Sequence, residues 1–246
     1  PCDMDPIMAL AEKHNLYVIE DCSQAYLTEY KGKWVGTIGH FGCFSLQQSK
    51  HISTGDGGLT ITNDGALGER AALFANKGWP NYGQGGRDYV IFGCNYRMTE
   101  LQGAVGLAQL KKLPDAVRAR QERAALLTSL ISGIPGVFTP AVPEGGVHTF
   151  WFYPLRLDQP ALGVSTGLFA QALAKEGIPA SAHYIGKPIF LYDLLRNKQV
   201  FGTSHCPWDC PRQPVSAVRY EPGDCPQTEK ALDDLIVVPM NEKFTE

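Results

Sequence analysis

The chain is organised around the stretch Phe44-Ser-Leu-Gln-Gln-Ser-Lys50-His-Ile-Ser-Thr-Gly-Asp-Gly-Gly58. Residues 41–46 are apolar and aromatic, which predicts a buried strand. The run Leu59-Thr-Ile-Thr62 alternates and is β-branched, which predicts a second strand. Lys50 is therefore expected in a tight loop at the edge of a sheet. A partly desolvated lysine in such a loop is suited to Schiff-base chemistry.

A second stretch, Leu16-Tyr-Val-Ile-Glu-Asp21-Cys-Ser-Gln24-Ala25, precedes the lysine by about thirty residues. It predicts a short parallel strand over residues 17–19, with Asp21 just past its carboxyl end. Ligands of open α/β sheets bind at that edge. Pyridoxal phosphate is the cofactor that most often needs such a lysine, together with a carboxylate that keeps its ring nitrogen protonated.

Four motifs occur in a fixed order: Glu20-Asp21-x-x-Gln24-Ala25, Phe44-Ser45-x(4)-Lys50, Thr54-Gly55-Asp56-Gly57-Gly58 and Asn95-Tyr96-Arg97-Met98. In this order they resemble the DegT/DnrJ/EryC1/StrS family of sugar aminotransferases. The resemblance runs through nearly the whole chain and is densest over residues 16–110. It implies a pyridoxal-phosphate-dependent aminotransferase.

The resemblance also implies roles for individual residues. Lys50 would hold the cofactor as an internal aldimine and carry the proton, and Asp21 would pair with the ring nitrogen. Gln24 would approach the ring near its phenolic oxygen, and Ser45 would bind the phosphate. Asn95 would reach the phosphate from a neighbouring subunit, which predicts a homodimer with shared sites. The alternative for Asn95-Tyr96-Arg97 is a turn at the entry of a helix with a structural arginine.

The implied reaction moves an amino group from glutamate or glutamine to a keto-sugar or keto-cyclitol. His183 and Tyr184 lie in the region where related enzymes approach the substrate, although a buried structural histidine is an equal alternative. Two other functions stay open. One is a non-catalytic or inactive protein or fragment of the same fold. The other is a pyridoxal-phosphate-dependent sugar dehydratase, which resembles this family but carries His where Lys50 stands.

The expected fold is α/β: a large domain of pyridoxal-phosphate fold type I, with a small C-terminal α+β domain. Residues 1–132 would form the large domain and end in a connecting helix, and residues 133–246 would form the small domain. Family members are longer at the N-terminus, so the large domain is expected to be incomplete. The family's N-terminal part supplies a helix N-terminus for the phosphate and an aromatic ring that stacks on the cofactor.

Composition excludes several other classes of protein. The net charge of −3 does not favour nucleic acid or an anionic membrane as a partner. The sequence contains no apolar run long enough for a membrane span. The seven cysteines form no compact even-numbered disulfide pattern, which predicts free thiols and a cytoplasmic location. Cys206, Cys210, Cys225 and His205 match a zinc site poorly, so no metal is expected.

Local signals predict the remaining elements. Asp5 and Pro6 open a first helix that stops at Asn15, and residues 26–37 form a hairpin. Asn63 or Asp64 caps a helix, and Thr99-x-x-Gln102 is a capping box. Residues 77–94 form a long ordered loop. Pro114 restarts a helix over residues 115–132, where a charged run is expected to be a solvated face: Arg118, Arg120, Glu122 and Arg123.

Overall fold

The computed structural model of the chain describes residues 1–80, 88–210 and 218–244. The chain divides into two compact units. The first contains Pro1–Leu126, Ala141–Trp151 and Met240–Glu246, and the second contains Leu127–Pro140 and Phe152–Pro239. The boundary between a large and a small domain at residues 132 and 133 stays a prediction.

The helices are α1 (Met4–His14), α2 (Gly65–Ala75), α3 (Glu100–Leu110), α4 (Leu113–Ile131), α5 (Gln159–Leu162), α6 (Thr166–Lys175), α7 (Asp193–Arg196) and α8 (Pro226–Asp233). The strands are β1 (Ile19–Asp21), β2 (Glu29–Tyr30), β3 (Lys33–Trp34), β4 (Phe41–Ser45), β5 (Gly58–Ile61), β6 (Val137–Phe138), β7 (Gly146–Val147), β8 (Phe152–Leu157), β9 (Ser181–Ala182) and β10 (Leu235–Pro239).

The first unit is built on a three-stranded sheet in the order β1-β4-β5. Strand β1 pairs in parallel with β4, with Asp21 opposite Cys43, and β4 pairs with β5 in antiparallel orientation. Parallel strands end at the same edge of a sheet. The carboxyl ends of β1 and β4, at Asp21 and Ser45, therefore lie on one side.

A buried carboxylate fixes the chain that connects β1 to β4. The Glu20 side chain accepts hydrogen bonds from the backbone N–H groups of Gly36 (2.7 Å), Ile38 (2.9 Å) and Gly39 (2.6 Å). Gly36 adopts a φ of +88°, and a Cβ atom on Gly42 would lie 2.3 Å from the Gly36 carbonyl oxygen. Glycine at both positions lets the connecting chain pass directly against β4.

The second unit contains a four-stranded sheet in the order β6-β8-β10-β9. Strand β10 lies between β8 and β9 and is antiparallel to both. Strand β8 contributes Tyr153, Leu155 and Leu157 to the buried residues of this unit, and β10 contributes Ile236, which lies opposite Leu155, and Val237.

Several local predictions are confirmed. Asp64 caps α2 by accepting from the N–H groups of Ala66 and Leu67. Thr99 and Gln102 form both bonds of a capping box at the start of α3. Strands β2 and β3 form the hairpin within residues 26–37. Asn15 ends α1 in the left-handed conformation.

Other predictions require correction. Asp21 is the last residue of β1 and does not follow it, because the parallel pairing runs over residues 19–21 rather than 17–19. Helix α1 begins at Met4, so Pro6 lies inside its first turn and Asp5 does not cap it. Helix α4 begins at Leu113 and takes Pro114 into its first turn, where the missing N–H costs no hydrogen bond.

The prediction of a solvated charged face on α4 is wrong for Arg120. Its side chain is buried, and its Nη2 atom lies 2.8 Å from Glu242 Oε2. Glu242 follows Arg120 by more than a hundred residues, so helical spacing gave no sign of this pair. Arg118 and Glu122 are exposed, as predicted.

Part of the predicted loop over residues 77–94 lies outside the described residues, at 81–87. Of the residues described, no helix is long and apolar enough to cross a membrane. The same residues contain no group of three or more His, Cys, Asp and Glu side chains arranged to hold a metal ion.

The Glu20 carboxylate generates a stability prediction. Replacing Glu20 by Ala leaves three backbone N–H groups without their acceptor, so we expect the free energy of unfolding to fall by about 3 kcal/mol or more. Urea denaturation followed by circular dichroism measures the change. Glu12→Ala, at an exposed position on α1, is the matched control and should change stability by less than about 0.5 kcal/mol. Equal effects of the two substitutions would contradict the role of Glu20.

Candidate active site

Lys50 lies in a loop whose ends are closed by one buried residue. The Leu46 N–H donates to the Gly57 carbonyl (2.9 Å), and the Leu46 carbonyl accepts from Thr54 N–H (3.0 Å). The Leu46 side chain packs in a buried cluster with Tyr26, Ile52 and residues of α4. The loop is thus anchored on the core, and it presents Lys50 half-buried just beyond the end of β4.

Asp21 lies at the same sheet edge, exposed at the end of β1. Its Oδ1 atom accepts hydrogen bonds from Ser23 Oγ (2.5 Å) and from Ser23 N–H (3.1 Å). These bonds, together with the nearby positive charge of Lys50, lower the pKa of the Asp21 carboxyl group. Asp21 is therefore ionised at neutral pH, and both bonds from Ser23 go to a single carboxylate oxygen.

The structure groups Asp21, Ser45 and Lys50 at the edge where β1 and β4 end. Ser45 is half-buried, and its hydroxyl oxygen accepts from the Gln47 N–H at 3.3 Å. Gln24 lies exposed in the turn that follows Asp21. Asn95 lies on a separate segment ahead of α3, where it forms an isolated β-bridge with Asn76.

The exposed Asn95 side chain accepts a hydrogen bond from Arg97 Nε at 2.9 Å. This bond fixes the turn that leads into α3. The described contacts therefore hold Asn95 on the segment that enters α3, not on the lysine loop.

Residues 148–151 contact the lysine loop, which the sequence did not reveal. The Trp151 Nε1 atom donates to the Ser49 carbonyl at 2.6 Å, and Lys50 Nζ lies 4.2 Å from the centroid of the Trp151 ring. His51 Nε2 is 3.0 Å from the Thr149 carbonyl. Three consecutive loop residues thus meet one short segment about a hundred residues away. The only sequence signal at Trp151 is an aromatic run, which predicts a strand and not a site.

All four carbonyl groups of this segment accept hydrogen bonds from side chains. Gln121 bonds the carbonyl of residue 148, and His51 bonds that of residue 149. Arg120 Nη1 bonds those of residues 150 (3.4 Å) and 151 (3.2 Å). Side chains therefore replace the partners that a strand or helix would supply, and the irregular segment is held in one conformation.

His51 and His148 are largely buried in this region. Burial lowers the pKa of His51 to about 4, and the nearby Arg120 charge acts in the same direction. Burial also lowers the pKa of His148 to about 4. Both imidazoles are therefore neutral at pH 7. The Nδ1 atom of His51 is buried without a hydrogen-bond partner among the described residues.

His183 and Tyr184 lie in the second unit. Both are exposed, which excludes a buried structural role for His183. His183 has a φ of +52°, and its Nδ1 atom lies 3.9 Å from Asp233 Oδ1. The Tyr184 ring packs on Phe152 with 5.6 Å between the ring centroids. Their role toward a substrate stays a prediction.

The residues at the sheet edge fit pyridoxal phosphate. The ionised carboxylate of Asp21 is the partner that a pyridinium nitrogen requires. The half-buried amine of Lys50 lies close enough to lower the pKa of Asp21. The Ser45 hydroxyl at the strand end offers a donor for a phosphate oxygen.

A model of the DegT/DnrJ/EryC1/StrS aminotransferase family matches residues 1–207. The X-ray structure of an aminotransferase from Psychrobacter cryohalolentis superposes with a TM-score of 0.83 at 28% identity, over 100% of this chain and 62% of that chain. The predicted α/β architecture of pyridoxal-phosphate fold type I is thereby confirmed.

Two curated relatives carry specific names. GDP-perosamine synthase of Escherichia coli O157:H7 is 40% identical over 151 residues, which cover 61% of this chain and 40% of that protein. L-glutamine:2-deoxy-scyllo-inosose aminotransferase of Micromonospora echinospora is 33% identical over 198 residues, covering 76% of this chain and 46% of that protein. The chain thus spans less than half the length of these two relatives.

The two buried histidines predict a pH-dependent stability. An unfolded histidine binds a proton below about pH 6.5, whereas these two resist protonation until about pH 4. Their contribution is fully present above pH 6.5 and is lost as the pH falls toward 4. We expect each histidine to lower the free energy of unfolding by about 2 kcal/mol between pH 6.5 and 5.

Urea denaturation at a series of pH values measures this loss. His51→Gln should make the decline shallower, and a further His148→Gln substitution should flatten it more. A decline of the same steepness in the parent protein and in His51→Gln would show that His51 is not the group responsible.

Proposed function

Since this chain belongs to the DegT/DnrJ/EryC1/StrS aminotransferase family, we propose that it transfers an amino group from glutamate or glutamine to a keto-sugar or a keto-cyclitol. The observation that carries the proposal is the meeting of Asp21 and Lys50 at one sheet edge. The names of the two relatives support the acceptor class, one being a perosamine synthase and the other an inosose aminotransferase that uses L-glutamine.

Lys50 is the residue to which the reaction is assigned. Its amine would anchor pyridoxal phosphate covalently, and the free amine would move a proton at the substrate carbon. When bound, pyridoxal phosphate supplies an electron sink for the bond-breaking step. Lys50 also argues against a sugar dehydratase, which carries His at this position.

The remaining site residues would bind and orient the cofactor and the substrate. Asp21 would keep a proton on the ring nitrogen, because its carboxylate is ionised at neutral pH. Gln24 approaches the ring, and Ser45 donates to the phosphate. His183 and Tyr184 contact the substrate. We also assign the protein to the cytoplasm, with the free state of all seven cysteines in support.

A homodimer would complete each site through Asn95. This residue leads into α3, a helix without buried residues that exposes four apolar side chains around its circumference: Leu101, Val105, Leu107 and Leu110. Several large apolar side chains exposed on one short helix are typical of a surface that packs against another protein. A second copy packed there would bring its own Asn95 toward the site of its partner.

Borohydride trapping tests the role of Lys50. We expect the protein, incubated with pyridoxal phosphate and reduced, to carry one pyridoxyl adduct at Lys50. Trypsin does not cleave after a modified lysine, so the adduct should appear by mass spectrometry on a peptide of residues 34–70. The matched control is Lys50→Arg, which keeps the positive charge.

The absence of an adduct in a folded sample would exclude the chain as a working enzyme by itself. It would favour a non-catalytic or inactive protein of the same fold. Equal labelling of several lysines would mean that Lys50 has no special reactivity.

A complementation experiment tests the shared site. Asn95→Ala should weaken cofactor capture by roughly 10- to 100-fold, the value of one charge-assisted hydrogen bond. Adding excess Lys50→Ala protein should restore the adduct on Lys50 of the Asn95→Ala chain, because a mixed dimer contains one intact site.

The matched control for this mixture is the double variant Lys50→Ala, Asn95→Ala, which should restore nothing. Restoration by neither protein would place Asn95 outside its partner's site.

A further inference from the structure

We propose that Trp151 is a positioning residue for Lys50, holding the amine at the sheet edge whenever the lysine is not bonded to the cofactor. The inference rests on the proposed function, since it concerns the same lysine. It is drawn from two contacts that a single side chain makes to neighbouring loop residues.

The first contact fixes the backbone beside Lys50. The indole N–H of Trp151 donates to the Ser49 carbonyl at 2.6 Å, one peptide unit before the lysine. That carbonyl belongs to the turn that Gln47 stabilises, since Gln47 Oε1 accepts from Ser49 N–H at 2.8 Å and from Ser49 Oγ at 2.6 Å. The backbone at Ser49 is therefore held by its own turn and by Trp151.

The second contact fixes the amine. Lys50 Nζ lies 4.2 Å from the centroid of the Trp151 ring, within the range of a cation–π attraction. Indole is the side chain that attracts a cation most strongly. A long flexible lysine has many rotamers in water, so an attraction at its tip reduces the number that it samples.

The segment that carries Trp151 is itself rigid, which a positioning residue requires. Arg120 bonds the carbonyl of Trp151, and its guanidinium is buried and paired with Glu242. Thr149, two residues before Trp151, is also fixed, because its hydroxyl group hydrogen-bonds that of Thr28 at 2.8 Å. The indole therefore projects toward the loop from a fixed base.

The position of the Lys50 amine matters for catalysis. A Lys50 amine that is not bonded to the cofactor would need a defined place from which to deliver a proton to the substrate. The Trp151 ring supplies that place beside Asp21's sheet edge, so the amine does not swing into solvent. Loss of the ring should reduce kcat more than it raises KM.

Nuclear magnetic resonance of the parent protein tests the contact directly. Reductive methylation with 13C-formaldehyde labels the lysines and keeps their positive charge. We expect the Lys50 methyl signal, assigned by its absence in Lys50→Arg, to be shifted upfield by the ring current of the indole. A Lys50 signal among those of the exposed lysines would overturn the proposal.

Competitive acetylation of variants provides a second test. The rate of labelling at Lys50 is divided by the rate at exposed Lys33 in the same molecule, so that global changes cancel. Trp151→Leu should raise this ratio about three- to tenfold, because the amine is released from the ring. Trp151→Phe, which retains a ring face, should restore most of the protection.

Trp34→Leu is the matched control. Trp34 is an exposed tryptophan of the same unit, so its loss should leave the ratio unchanged. An unchanged ratio in folded Trp151→Leu protein would overturn the proposal. Neither of these two tests contains cofactor. If borohydride trapping fails while both of these tests succeed, the proposed function is rejected and the contact between Trp151 and Lys50 is retained.

Discussion

The buried Glu20 carboxylate is the interaction on which the candidate site depends. It gathers three backbone N–H groups of residues 36–39 beneath β1, and so returns the chain to a position from which β4 can pair in parallel. Without parallel pairing, the carboxyl ends of the two strands would not share an edge. Asp21 ends β1 and Lys50 lies in the loop that follows β4, so the parallel pairing that Glu20 supports brings both residues to the same edge.

The site has a second foundation in the irregular segment of residues 148–151. A segment without regular structure normally exposes its carbonyl groups to water or leaves them unpaired. Here the side chains of Gln121, His51 and Arg120 donate hydrogen bonds to these carbonyl groups. The guanidinium of Arg120 also pairs with Glu242. The result is a rigid support for the lysine loop made from side chains of a helix and of the loop itself.

The titratable groups at the sheet edge and those in the segment that supports the lysine loop differ in their charge at neutral pH. Asp21 is exposed, and local hydrogen bonds from Ser23 keep it ionised without the cost of burying a charge. His51 and His148 are largely buried and neutral, because burial disfavours their charged forms. The sheet edge thus carries an ionised carboxylate, whereas the structure behind it contains neutral imidazoles and the paired charges of Arg120 and Glu242.

The sequence by itself determined the features encoded by neighbouring residues: the order of the four motifs, the lysine between two strands, the Asp64 cap and the capping box at Thr99. Each cap depends on residues within about five positions of one another, and each motif or strand is likewise a short run of the sequence. Only the tertiary structure decided the burial of Arg120, the support that Glu20 gives to residues 36–39, and the contact of Trp151 with Lys50. Each of these joins side chains and backbone that are distant along the chain, and such pairing leaves no periodic trace in a single sequence.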